Sequence, residues 1–233
     1  MLPPLIIYWS RRDFRLTDNP ALTRGIEESV KTGVPFLPLF ILEDYMVEAR
    51  PSEQFGYPSR WFLSRALPKF FKQFPVHAVV RGKAAEYFSR LNTFYTLTVY
   101  VNDDVYPDFA TQIGKMRDRG VSVVVCPDAL TVSPETRTGR GNVYSVFTPF
   151  KKAVWTDFVS VRPLARVDTS QIMYPTEDML GSLPERIVCE TDVLWDTFSH
   201  QRTLQVAKHV IDLDDFTRPP ELDMWYTSEE GAR

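Results

Sequence analysis

Between Leu5 and Val125 five short apolar runs alternate with helical stretches, and no other feature of the chain limits its fold so tightly. The runs are Leu5–Tyr8, Val34–Leu42, His77–Gly82, Leu97–Val101 and Val121–Val125. Four helices are expected between them. The first opens near Pro20 and stops at Gly33. The second opens at Pro58 and Ser59 and carries Trp61, Phe62, Ala66 and Leu67. The other two cover Lys83–Leu91 and Asp108–Arg119. This alternation predicts a doubly wound α/β domain on a five-stranded, mostly parallel sheet. Strands covered on both faces read as near-continuous apolar runs, and these do. Pro35 and Pro38 interrupt the second run and predict a strand that is irregular or near an edge. Pro68 predicts a kink or break in the second helix, past which Phe70, Phe71 and Phe74 continue the apolar stripe.

The turn leaving the first run holds most of the charge of interest. Trp9-Ser10-Arg11-Arg12-Asp13-Phe14-Arg15-Leu16-Thr17-Asp18 crowds three arginines and two aspartates between a buried strand and a helix. Asn19 reads as that helix's N-cap and Pro20 as its first residue. The charge therefore lies at the carboxyl end of a strand, the edge where open α/β sheets bind ligands. No G-x-G-x-x-G follows the strand, which disfavours a dinucleotide-binding enzyme, and neither G-x-S-x-G nor H-E-x-x-H occurs. His77, His200 and His209 are scattered and read as structural or surface residues.

After Cys126 the pattern changes. Residues 136–142 read as a polar loop, and Tyr144–Lys152 as an extended entry into a helix. Phe147, Pro149 and Phe150 are expected to pin this stretch onto the sheet, and Trp9, Trp61 and Trp155 to be core or seam aromatics. Residues 162–183 read as a linker. Residues 191–211 carry apolar positions consistent with one helix or two. The tail from Asp212 is acidic and contains Pro219-Pro220. The expected division is an α/β domain over 1–135 and a connecting, irregular and helical segment over 136–233.

Cys126 and Cys189 are the only cysteines and lack metal-site spacing. No apolar run reaches the roughly 18 residues of a membrane span, and the first residues lack the pattern of a signal peptide. A reduced, cytoplasmic protein with no membrane partner is the expectation. A net charge of −3 argues against a nucleic-acid surface over the whole molecule, so DNA is expected to bind weakly if at all.

Trp9–Leu22 resembles the opening of the DNA photolyase and cryptochrome family, W-x-R-R-D-L-R-x-x-D-N-x-A-L. Tyr144–Lys151 is similar to that family's Y-x-V-F-T-P-F-x-K segment. Arg60-Trp61-Phe62-Leu63 and Asn102–Pro107 resemble two further family stretches in the same order. The resemblance covers residues 5–155 and implies the Rossmann-like N-terminal domain of a light-driven, carbon–carbon-cleaving lyase that repairs pyrimidine dimers in DNA. In that family the domain carries an antenna chromophore, a deazaflavin or a folate. Carried across, a deazaflavin-type pocket implies Arg12, Phe40, Ile41, Leu42, Arg60 and Asp104 as chromophore-binding residues, with no catalytic or metal-binding residue among them. The family's flavin adenine dinucleotide (FAD) belongs to a helical half that the present residues do not match. The resemblance therefore implies a chain inactive by itself, with a separate flavin-binding domain or subunit as partner. The alternative is a stand-alone Rossmann-like module that binds a ligand or a partner without repair activity.

Overall fold

The computed structural model describes residues 2–47, 57–130, 132, 135–160 and 163–181, with short pieces at 183–184, 186–187, 189–190, 193–194, 203–206 and 209–212. The five expected strands are β1 (Pro4–Ser10), β2 (Phe36–Leu42), β3 (Ala78–Arg81), β4 (Thr96–Asn102) and β5 (Ser122–Cys126). A short sixth, β6 (Arg186–Ile187), joins them in one sheet of order β5-β4-β1-β2-β3-β6. The first five pair in parallel and β6 runs antiparallel on β3. The direction of chain progression reverses between β1 and β4, so a crevice is expected at their carboxyl ends.

Helices cover both faces, which explains the uninterrupted apolar strands. Odd positions of β1 and β2 (Leu5, Ile7, Trp9, Leu37, Leu39, Ile41) pack with α4 (Ala84–Leu91) and α5 (Pro107–Asp118). Even positions (Ile6, Tyr8, Phe36, Phe40, Leu42) pack with α1 (Pro20–Thr32), Val47 of the one-turn α2 (Asp44–Val47) and α3 (Tyr57–Phe71). Two-residue alternation thus sends the large apolar side chains of these strands into one core or the other. Close approach of α1 to the sheet requires Gly25: a Cβ there would lie 2.8 Å from the Phe36 ring.

α1 begins and ends as its sequence predicts. The Asn19 side chain accepts the Leu22 N–H, Pro20 is the first helical residue, and Gly33 closes the helix in the left-handed conformation at φ 69°.

Elsewhere the structure corrects the sequence reading. β2 is an interior strand despite its prolines, paired with β1 and β3. Phe36 N–H bonds Met173 O, and Leu42 O accepts from Gly82 N–H, so even positions of β2 turn away from β1. The missing N–H of Pro38 falls on that side, one residue before pairing with β3 starts at Leu39. The proline removes no ladder bond. Pro68 does not break α3, which runs on to Phe71. Within 191–211, where helix was expected, residues 203–206 and 209–212 form an antiparallel hairpin of β7 (Thr203–Val206) and β8 (His209–Asp212). Its β-branched residues Thr203, Val206, Val210 and Ile211 suit strands.

The stretch read as a linker is a strap across the core. Leu164 and Asp18 exchange two bonds: Asp18 N–H to Leu164 O (3.1 Å) and Leu164 N–H to Asp18 Oδ1 (3.0 Å). Val167 N–H reaches Leu16 O (3.1 Å), and Ile172, Leu180 and Leu183 are buried. Asp18 takes a positive φ of 52° at this junction. Between β5 and the strap lies α6 (Phe147–Ser160). The residues expected to pin this region to the sheet do not: Phe147 is 72% exposed, Pro149 is exposed and Phe150 is only half-buried. Trp155 is likewise half-exposed rather than core, and Val154 supplies the buried contact instead. Among the described residues no helix is long and apolar enough to cross a membrane.

Candidate functional site

The turn after β1 meets the loops after β4 and β5 in a cleft of about 180 Å³, at the crevice the strand order creates. Arg11, Arg12, Asp13 and Arg15 come from the turn, Asn102, Asp103 and Asp104 from the end of β4, and Asp128 and Ala129 from beyond β5. Three arginines face four aspartates, and each charge has local partners.

The base of the cleft is a buried polar network. Asp13 is 6% exposed and accepts from Arg11 N–H (2.9 Å), Ser10 Oγ (3.4 Å) and the Asn102 amide. Asn102 also donates to Asn19 Oδ1 (2.8 Å), and its oxygen accepts from Ala21 N–H (2.8 Å). Asn19 donates to the Tyr8 hydroxyl (2.9 Å) while capping α1. Two asparagines thus satisfy the first free amides of α1 and hold the β1 turn against β4. Burial, reinforced by Asp13, pushes the Tyr8 phenol well above its ordinary pKa and keeps it neutral.

The rim is more open. Arg11 lies between the Trp9 and Phe109 rings, 5.0 and 4.9 Å from their centres, and its guanidinium reaches Asp104 at 3.3 Å. Arg11 also donates to Gln112 Oε1 (3.2 Å), and Gln112 donates to both oxygens of Glu43 (3.1 and 3.2 Å). Burial raises the Glu43 pKa, opposed by Arg11 and the Gln112 bond. The Arg12 side chain is 54% exposed and lies 3.7 Å over the Tyr106 ring, with Asp104 3.7 Å away. Burial works against its charge, but Tyr106 and Asp104 outweigh it and raise its pKa. Tyr45 stands close enough for its phenol to feel Glu43, Arg11 and Arg12, although burial is the main cause of its raised pKa.

At the far end Arg15 pairs with Asp128 and donates to Asp18 O (3.0 Å from Nε). Asp128 has a raised pKa because of burial, with Arg15 pulling the other way. One oxygen of Asp103 accepts the backbone N–H groups of Asp128 and Ala129, each at 2.7 Å, tying the β4 and β5 loops together.

Of the six residues the resemblance assigns to a pocket, Arg12 and Asp104 meet at this cleft. Phe40, Ile41 and Leu42 lie within β2 at 2% exposure or less, and the Phe40 ring meets the turn at Phe14, whose ring centre is 5.9 Å away. Arg60 is buried on α3 at 6% exposure and is not among the cleft residues. The sequence reading assigned no site role to Asn102, Asp128, Gln112, Glu43 or Tyr106. Only Asn102, a polar residue closing an apolar strand, carried a signal of its own. Among the described residues no group of three or more His, Cys, Asp or Glu could hold a metal.

The profile of the family described as DNA photolyase matches residues 6–168, which include the whole cleft and the start of the strap. This chain belongs to the DNA photolyase family. Solved structures agree on the fold. A cryptochrome from Synechocystis sp. PCC6803 superposes with a TM-score of 0.60 at 15% identity, over 77% of this chain and 41% of that one. An archaeal photolyase from Sulfolobus tokodaii superposes with a TM-score of 0.61 at 21% identity, over 86% of this chain and 43% of that one. The latter is described with two FAD molecules and an implied novel light-harvesting cofactor. The chain spans about two fifths of the length of these two structures. No curated protein matches it.

Proposed function

We propose that this photolyase-family domain holds an aromatic, anionic light-harvesting chromophore at the mouth of the cleft between the β1 turn and the β4 loop. The observation that carries this reading is the Arg12–Tyr106–Asp104 cluster, an open cation on an aromatic face at the topological switch point. A flat heterocycle needs an apolar surface, a matching charge and a few fixed polar groups. Tyr106 and Tyr45 would offer ring surface, Arg12 the charge and Asp104 an acceptor. Phe40 would back the turn from beneath through Phe14, with Leu42 on the same face of β2 and Ile41 on the other, and Arg60 would contribute from within α3.

The cleft's volume of about 180 Å³ is below the ~300–1,000 Å³ of pockets that enclose a drug-sized ligand. It fits the polar edge of a ring whose face lies outside, on Arg12 and Tyr106. A deazaflavin, a folate or, by likeness to the archaeal photolyase, a flavin all meet this description. Once bound, the chromophore would absorb light and pass excitation onward. The chain's own groups would bind and orient it. Dimer repair would need a flavin-binding helical body as partner, with DNA held weakly if at all by this chain, in the cytoplasm.

Titration of the purified protein with 8-hydroxy-deazaflavin, methenyltetrahydrofolate and FAD, followed by absorbance, tests this. One of the three is expected to saturate. Arg12→Ala should then weaken it ~10- to 100-fold, the scale of one hydrogen bond to a charged group (about 1.5–3 kcal/mol). Lys115→Ala, on α5, should leave it unchanged. If none of the three binds, the cluster is an ion-pair lattice alone and the proposal fails.

A further inference from the structure

The most conspicuous exposed surface lies away from the cleft, on α6 and the residues before it. Val143, Val146 and Phe147 are 71%, 59% and 72% exposed. Phe147, Lys151 and Trp155 follow at i, i+4 and i+8, so they share one face of α6. Lys151 lies 5.0 Å over the Trp155 ring, which is itself half-exposed. On the adjoining part of the same stripe Phe150 is half-buried and Val154 buried, so the edge formed by Phe147, Lys151 and Trp155 is the part that faces outward. The outer face therefore presents large apolar groups that the α/β core does not cover. Contiguous patches of this kind mark interaction surfaces.

Charge selects the occupant. Residues 136–155 hold Arg140, Lys151 and Lys152, besides Arg137, which pairs with Glu135 at 3.0 Å, and no acidic residue, in a chain whose net charge is −3. A second copy packed face to face would bring these cations together and is disfavoured. The complementary stretch is in the same chain. Residues 213–233 hold six carboxylates against two arginines, interspersed with Phe216, Leu222, Met224, Trp225 and Tyr226. It is the most acidic aromatic-rich stretch of the sequence and lies outside the described residues.

Reach imposes no obstacle. Leu194 is fully buried in the core, and the chain advances nine positions from it to Thr203, where the β7–β8 hairpin begins. Nine extended residues span about 30 Å, roughly the diameter of a small domain, and the tail adds its own length. Tethering also gives such a segment a high effective concentration at the face.

We propose that the outer face of α6 is a docking site for the chain's own acidic, aromatic segment 213–230. Phe216, Met224 and Trp225 would cover Val143, Val146 and Phe147, and the Asp and Glu side chains would meet Lys151, Lys152 and Arg140.

Disulfide trapping in the full chain tests this, in a Cys189→Ser background that leaves only the buried native Cys126. The pair Val146→Cys with Trp225→Cys is expected to cross-link within one chain at least tenfold faster than the control pair Lys115→Cys with Trp225→Cys. Adding Lys151→Glu and Lys152→Glu, or raising the salt to 1 M, should bring the rate down to that of the control. Equal rates for the two pairs overturn the proposal. So does insensitivity to charge reversal, and so does a cross-link formed only between chains, which would make a second copy the occupant. Hydrogen exchange on the unmodified protein supplies a check independent of the cysteines. Amides of 147–155 and 213–230 should lose protection together at high salt, and loss in neither overturns the proposal.

Discussion

Asp13 and Arg12 are neighbours in sequence, yet they belong to two different kinds of polar structure. Asp13 turns inward to a network of Asn102, Asn19 and Tyr8, largely shielded from water and hydrogen-bonded within itself. Arg12 turns outward onto Tyr106, with more than half of its side chain in solvent. The inner network exchanges water for fixed partners and so carries the fold. The outer cluster keeps water and mobility and so is free to exchange its partners for a ligand. One turn can thus be both a fastening and a binding edge, because alternate residues face different dielectric surroundings.

The sharpest way to break this comparison is Asn102→Ala. It strips partners from Ala21 N–H, Asn19 and the buried Asp13 carboxylate at once. The expected cost is about 3 kcal/mol in urea unfolding, since buried polar groups left unpaired cost about 1–3 kcal/mol each. A loss below about 1 kcal/mol would mean that the inner network is no more structural than the rim. Arg15→Ala should fall between the two regions, at about 1 kcal/mol. Its partner Asp128 is only partly shielded and is screened by solvent.

Glu43 tests the border between the regions by pH. Burial holds its pKa above the ordinary glutamate value. The folded state therefore binds its proton more tightly than the unfolded chain does. The stabilisation from that proton is full below the unfolded pKa and is lost as pH rises through the folded one. Glu43→Gln should flatten this weakly acidic part of the stability–pH curve, and an unchanged slope would show that Arg11 and Gln112 fully offset the burial. The smallest effect belongs to Arg12→Ala, expected to change stability by less than about 0.5 kcal/mol. If it destabilises the protein as much as Asn102→Ala does, the distinction between rim and base collapses.

The features legible in the sequence were local ones. Asn19, Pro20 and Gly33 mark the ends of α1 through rules that involve only a few adjacent residues, and each lies where those rules put it. The five parallel strands were legible because both faces are buried, which leaves an unbroken apolar run. What was hidden depends on distant partners. The tolerance of Pro38 depends on where β3 begins, and β3 lies some forty residues further on. β6 is two residues long and has no pattern of its own. At the cleft, Arg12 and Asp104 are the two lining residues that the resemblance named. Arg11–Asp104, Gln112–Glu43 and Arg15–Asp128 join positions that only the sheet order brings together. The exposed Phe147 was misread because its apolar character says that it needs cover but not what covers it.

The two bonds between Asp18 and Leu164 have a consequence for the order of folding. They close a loop of nearly 150 residues, whereas the αβ units of the sheet close loops of tens. Such long closures are slow and yield little until their end points exist. The β1 turn must therefore be in place before the strap can fasten to it. Interactions formed after the folding barrier act on the rate of escape rather than of arrival. The strap is therefore expected to set how long the domain stays folded once made, a lifetime control applied at the same turn that forms the cleft.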